Sequence, residues 1–208
     1  MAVTTNIFDD AFGPIRDLYL VHFLNALRDA RRGGRTVLSE VTELDQTGAV
    51  QKSGILNLPI RDDFIIDPSL SDAVVIVPSP PILEFPPIDT TFEKNLVGRI
   101  EPFSWDNLWI MAYPICDSAL LMRIRLWYLD WFQSRIVRDP EGVMGVTHRL
   151  SGPHEYEGAH WFHLDMGSAP VGSIAALTRL LSRGNVDRVK FSQAPAFALD
   201  DRREVRRR

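Results

Sequence analysis

The order of periodic segments along the chain predicts an α+β fold, with a mostly antiparallel sheet and about three helices. Three observations carry that expectation. Two long stretches repeat apolar residues at helical spacing, near residues 14–32 and 118–135, and a third does so over 170–183. Short β-branched or alternating runs fall between them. No regular strand–helix–strand alternation of the kind that builds a parallel sheet is present.

The first helix is expected from about Pro14, which suits a first turn, to Arg32, with Gly33-Gly34 as its stop. Its apolar arc holds Ile15, Tyr19, Leu20, Phe23, Ala26, Leu27 and Ala30. Thr36 to Leu44 alternates and reads as a strand, and Asp45 to Gly48 reads as a turn. The signal over residues 54–72 is mixed, and Ala73 to Val77 is a short buried strand. Five prolines at 78, 80, 81, 86 and 87 then exclude helix or central strand, so 78–87 is an extended connector whose Ile82, Leu83, Phe85 and Ile88 lie against the body.

Beyond the connector, Leu96–Phe103 and Leu108–Pro114 read as strands around a turn at Ser104–Asn107. Asp117 or Ser118 caps a helix to about Arg135, closed by Asp139-Pro140-Glu141-Gly142. Val143–Leu150 and Ala159–Met166 are expected to pair around a polar loop from Ser151 to Gly158. Gly167 to Pro170, with Ser168 as N-cap, opens a helix to Arg183, and Val186–Phe191 is the last strand. The reading is one domain over 1–199 and a basic, disordered tail over 200–208.

Two hundred and eight residues, 45% of them hydrophobic, can bury roughly 70% of their unfolded surface without staples. The single cysteine, Cys116, excludes an internal disulfide and a zinc site with several thiolates. That cysteine usage, an N-terminus without a basic and apolar leader, and the absence of a ~20-residue apolar run point to a cytoplasmic protein with no membrane partner. The formal charge of -4 divides into -6 for the body and +2 for residues 200–208. An acidic body, and a tail without interleaved aromatics, argue against nucleic acid.

Three groupings could carry chemistry. His148, His154, His160 and His163 fall within sixteen residues, beside Glu155, Glu157 and Asp165, and suggest a metal site. Strand alternation divides them, with His148 and His160 on one face and His163 and Asp165 on the other. Cys116 before a helix, with His148 or His160 on a later hairpin, resembles the order of papain-like cysteine hydrolases, which would make Cys116 the nucleophile. Asp117 beside the thiol and the parity of Asp165 oppose that assignment. Asp165 to Pro170 joins a strand to a helix start but lacks every phosphate-binding glycine pattern.

The remaining feature is the helix from Ser118, whose Leu120, Leu121, Ile124, Trp127, Tyr128, Leu129, Trp131 and Phe132 cover more than half its circumference. Joined with the acidic residues Asp62, Asp63, Asp67, Asp72, Glu155 and Glu157, it suggests docking onto a basic protein. The profile is that of a non-enzymatic bacterial immunity protein that blocks a basic toxin, without cofactor or metal. Its contact residues would be Trp127, Trp131, His154, Glu155, Tyr156 and Glu157.

Overall fold

The computed structural model describes residues 7–67, 74–75, 80–133 and 143–198. The elements in chain order are α1 (Ile7–Arg31), β1 (Val37–Thr42), β2 (Lys52–Ser53), β3 (Leu58–Pro59), β4 (Arg61–Ile66), β5 (Val74–Val75), β6 (Ile88–Thr91), β7 (Val97–Ile100), β8 (Leu108–Tyr113), α2 (Ser118–Phe132), β9 (Arg149–Tyr156), β10 (Ala159–Asp165), α3 (Val171–Ser182) and β11 (Arg188–Ser192). They form a six-stranded sheet in the order β6-β7-β11-β8-β10-β9, a three-stranded sheet β1-β4-β5, and the small pair β2-β3. Among the described strands only β7 and β11 run parallel. The class is α+β with mostly antiparallel sheets, as the sequence predicts.

Helix α1 begins a full turn and more before Pro14, which lies inside it. The apolar face dictates this: Ala11 and Phe12 extend the buried stripe of Ile15, Tyr19, Phe23, Leu27 and Ala30 backwards, and Phe12 meets Phe191 edge-on at 5.1 Å. That packing outweighs the hydrogen bond a proline removes. Gly33 and Gly34 end the helix in left-handed backbone, as expected.

Asp45 closes the turn after β1 by accepting from the Thr47 and Ala49 amides. Residues 61–66, where the sequence signal is mixed, form the central strand of the small sheet. Leu83 and Phe85 of the proline-rich stretch pack against the core, whereas Ile82 stays exposed. The Ser104–Asn107 turn forms as predicted, but β7 and β8 do not pair, because β11 inserts between them.

The Asp117 carboxylate caps α2 by accepting from the Leu120 amide at 2.7 Å. Of the eight apolar residues in the wide arc of this helix, Leu120, Ile124, Trp127, Tyr128 and Phe132 are buried, and Leu121, Leu129 and Trp131 are half-buried against the core. Trp127 is 5% exposed and donates its indole N–H to the Ser173 carbonyl of α3, and Trp131 is half-buried on the core. Arg125, set within that arc, donates to Leu56 O. The large apolar side chains α2 leaves in solvent are Met122 and Leu126.

The closing turn at 139–142, most of the connector's first residues and the 200–208 tail lie outside the described residues. No described helix is long and apolar enough to cross a membrane.

The second strand of the expected hairpin stays in place, but the first begins six residues later than predicted. Its first strand runs over Arg149–Tyr156, and the polar segment 151–158 contains most of that strand, leaving Glu157 and Gly158 as the turn. Alternation over 151–156 is masked by Gly152, Pro153 and consecutive polar residues, and a bulge between Trp161 and His163 changes the register. Helix α3 takes Pro170 as N-cap with no side-chain hydrogen bond, so Ser168 does not cap it.

Candidate functional site

Cys116 and His160 do meet, through the backbone. The Cys116 amide donates to His160 Nδ1 at 3.2 Å. Burial, which lowers the pKa of the imidazole, suits this acceptor role. The thiol is buried, and burial with the Asp117 charge pushes it up to about 12. A nucleophilic cysteine needs the opposite shift.

The four clustered histidines do not converge on one point, and two of them, His154 and His163, lie against Trp109. His154 is exposed on β9. His163 stacks on Trp109 with ring centroids 5.1 Å apart and has Nε2 3.0 Å from Asn107 Oδ1. His148, just before β9, is fully buried and lies among carboxylates the sequence analysis did not connect with it.

The centre around His148 is assembled from distant parts of the chain. Glu40 lies between the Ser39–Phe64 and Val41–Asp62 pairs of β1 and β4, with φ of 51°. That left-handed residue lets both Ser39 and Glu40 turn inward from one strand, at a cost of roughly 1–2 kcal/mol.

Glu40 Oε1 is 3.1 Å from His148 Nε2 and accepts from the Ser168 amide and hydroxyl, while Oε2 accepts from the Met144 amide. Ser168 Oγ in turn accepts from the amides of Gly145 and Val146. On the other side of the ring, His148 Nδ1 is 3.1 Å from Asp63 Oδ1 and 3.8 Å from Asp165 Oδ1. Tyr19 donates to Asp63 Oδ1 at 3.0 Å, and the Gly167 amide donates to Asp165 Oδ1 at 2.9 Å. Gly167, with φ of 48°, lies close against the ring; a Cβ there would be 2.3 Å from His148 Cδ2.

The charges follow from this packing. Burial disfavours the His148 cation, but Asp165, Asp63 and Glu40 outweigh it and raise its pKa to about 10. Burial also works against the Glu40 carboxylate, yet hydrogen bonds from His148, Ser168 and Met144 hold it below its ordinary value. Asp165 is raised to about 7, by burial first and by Asp63, against the pull of His148. Asp63, which the sequence analysis assigns to an acidic surface loop, is 3% exposed on β4. The centre fastens α1 and the small sheet to the ends of β9 and β10.

A second region lies on the outer face of the large sheet. Trp109, Trp161 and Ala159 form a buried apolar patch there with Ala198. Phe197 stacks on Tyr156 at 4.7 Å and meets Trp161 edge-on at 5.7 Å.

Beside it, an open groove of about 200 Å³ is lined by Met111, Tyr113, Tyr156, Glu157, Trp161 and Arg188. A larger one of about 390 Å³, sharing Trp161, extends to Glu101 and Lys190. His154, Glu155, Tyr156 and Glu157 are all exposed at this end of the hairpin, and Tyr156 is 43% exposed. The cations of the face are matched: Arg99 pairs with Asp89 and Glu101, Lys190 with Glu101, and Arg188 covers the Tyr113 ring at 4.2 Å. Glu155 and Glu157 have no salt-bridge partner among the described residues.

Comparison of the chain with protein-family models, curated proteins and solved structures finds no match.

Proposed function

We propose that this chain is a non-enzymatic partner-binding protein of the immunity type, which blocks a basic protein, a toxin in the fullest form of the reading. The docking surface is the end of the β9–β10 hairpin and the groove beside it. The observation that carries the reading is the juxtaposition there of Glu155 and Glu157, which no cation among the described residues neutralises, with the exposed ring of Tyr156 and an apolar groove floored by Met111 and Trp161. Carboxylates that no cation neutralises attract a basic partner, and an exposed tyrosine over an apolar groove supplies contact area.

Trp127 and Trp131 leave the docking surface, because their helix turns them inward. His154, Glu155, Tyr156 and Glu157 stay in it. Cys116 does not suit the nucleophile of a hydrolase, since its thiol is buried and held protonated.

Surface plasmon resonance against the basic protein encoded beside this chain's gene tests the proposal. Tyr156→Ala is expected to weaken binding by about 30-fold or more, the loss of about 2 kcal/mol typical of a central aromatic contact. Glu157→Lys is expected to slow association and flatten its salt dependence. Equal binding by wild type and the double variant refutes the surface, and absence of any complex with that protein refutes the function.

A further inference from the structure

We propose that Asp63, His148 and Asp165 are the protein ligands of a divalent transition-metal site, with Glu40 as the carboxylate that orients the histidine. This stands apart from the docking surface and does not rest on it. One donor atom from each residue lies within 4.8 Å of the others. The 3.1 and 3.8 Å separations from Nδ1 bracket the ~3.3 Å edge of a tetrahedron built on metal bonds of about 2.0–2.1 Å.

Two buried atoms point to a ligand. His148 Nδ1 and Asp63 Oδ2 have no hydrogen-bond partner, although His148 is fully buried and Asp63 is 3% exposed. The Asp63 Oδ1 atom is near enough to Nδ1 but off the direction of a hydrogen bond. Unpartnered polar atoms at such depth are uncommon, and a cation bound at Nδ1 and held by both oxygens of Asp63 gives each of them a partner.

The outer partners match what a metal-bound histidine requires. Metal binding displaces the Nδ1 proton of the resting imidazolium while Glu40 holds the proton on Nε2, so that the Nδ1 lone pair faces Asp63 and Asp165. Each carboxylate has its own support, the Tyr19 hydroxyl for Asp63 and the Gly167 amide for Asp165. Three carboxylates around one imidazole leave a surplus of negative charge, which a divalent cation balances. One nitrogen and two oxygens, with no thiolate, select zinc or manganese over a soft metal. Asp165, its side chain 21% exposed, marks the solvent side of the site.

The test uses the full chain stripped with EDTA and titrated with Zn2+ alone. Calorimetry is expected to give one equivalent per chain, and nitrogen-15 NMR to shift Nδ1 of a single histidine. Asp165→Asn, at the partly exposed ligand, is expected to weaken binding at least tenfold, Glu40→Gln to weaken it about 10–100-fold, and His163→Gln to leave it unchanged.

Absence of saturable binding by the wild type, or no perturbed histidine Nδ1, overturns the site. So does equal affinity in folded Asp165→Asn, or loss of binding in His163→Gln, since either places the metal elsewhere. The NMR readout is made on the wild type, so it holds even if a variant fails to fold.

Discussion

A methyl group added at Gly167 tests whether the His148 centre is as rigid as its packing implies. In Gly167→Ala the new Cβ would lie 2.3 Å from His148 Cδ2, 2.5 Å from Nε2 and 2.7 Å from the Val146 carbonyl oxygen. The ring cannot swing aside without leaving Glu40, and the carbonyl belongs to the backbone.

Overpacking of this kind costs about 1–3 kcal/mol, and alanine at φ of 48° about 1–2 kcal/mol more. Restriction of the unfolded chain returns about 0.4–1 kcal/mol, so the net loss is about 1–5 kcal/mol. For a domain of this size that lowers Tm by about 2–20 °C. Gly172→Ala is the control, because its Cβ would meet nothing within 4 Å and its φ is ordinary; it should be neutral or slightly stabilising. Calorimetric melting of both variants decides the point. A Gly167→Ala melting temperature within 2 °C of wild type would mean that the ring and its loop move freely, and the argument from their rigidity would fail.

Three further outcomes follow from the same geometry. Tyr19→Phe removes the hydroxyl that donates to buried Asp63 and should cost about 1–3 kcal/mol, read as a lower urea midpoint at unchanged slope; an unchanged midpoint would show that Asp63 does not need that donor. With its thiol near 12, Cys116 is thiolate in only about one molecule in ten thousand at pH 8, so iodoacetamide should label it in urea and leave the folded chain unlabelled; rapid labelling of the folded chain would contradict this burial. His160, whose folded pKa lies below that of the unfolded chain, contributes stability fully above pH 6.5, and the contribution is lost as pH falls below that value, because the unfolded state takes the proton first. The Tm gap between wild type and His160→Asn should therefore narrow from pH 7.5 to pH 5, and a constant gap would dismiss the role of its neutral ring.

Periodicity made most of the fold legible. The apolar arcs of α1, α2 and α3 are read correctly from spacing, as are the Asp45 and Ser104 turns, because these signals are local. The misreadings share one cause: a local rule lost to a distant contact. Pro14 looks like a helix start until Phe12 finds Phe191 across the core. Strand β4 hides behind Arg61, Asp62 and Asp63, because buried Asp63 breaks the pattern by which charge is read as surface. The insertion of β11 between β7 and β8 depends on a partner ninety residues away along the chain.

The site shows the same limit more sharply. A search for ligands near His148 in sequence finds three other histidines and misses the two acidic residues nearest its ring, Glu40 and Asp63, of which Glu40 is 108 residues away. No spacing rule could pair them; only the closure of the small sheet against the large one does.

Once they are paired, stability alone does not account for the arrangement. A well-packed apolar cluster could fasten two sheets at no greater cost than a buried ion network. This chain instead holds Glu40 in left-handed backbone, keeps Gly167 bare against the ring and leaves Nδ1 and an Asp63 oxygen without partners. Each of these features is a cost to the clasp taken by itself. All of them are accounted for if the imidazole must be held still, with Nδ1 turned toward two carboxylates and able to exchange its proton for a cation.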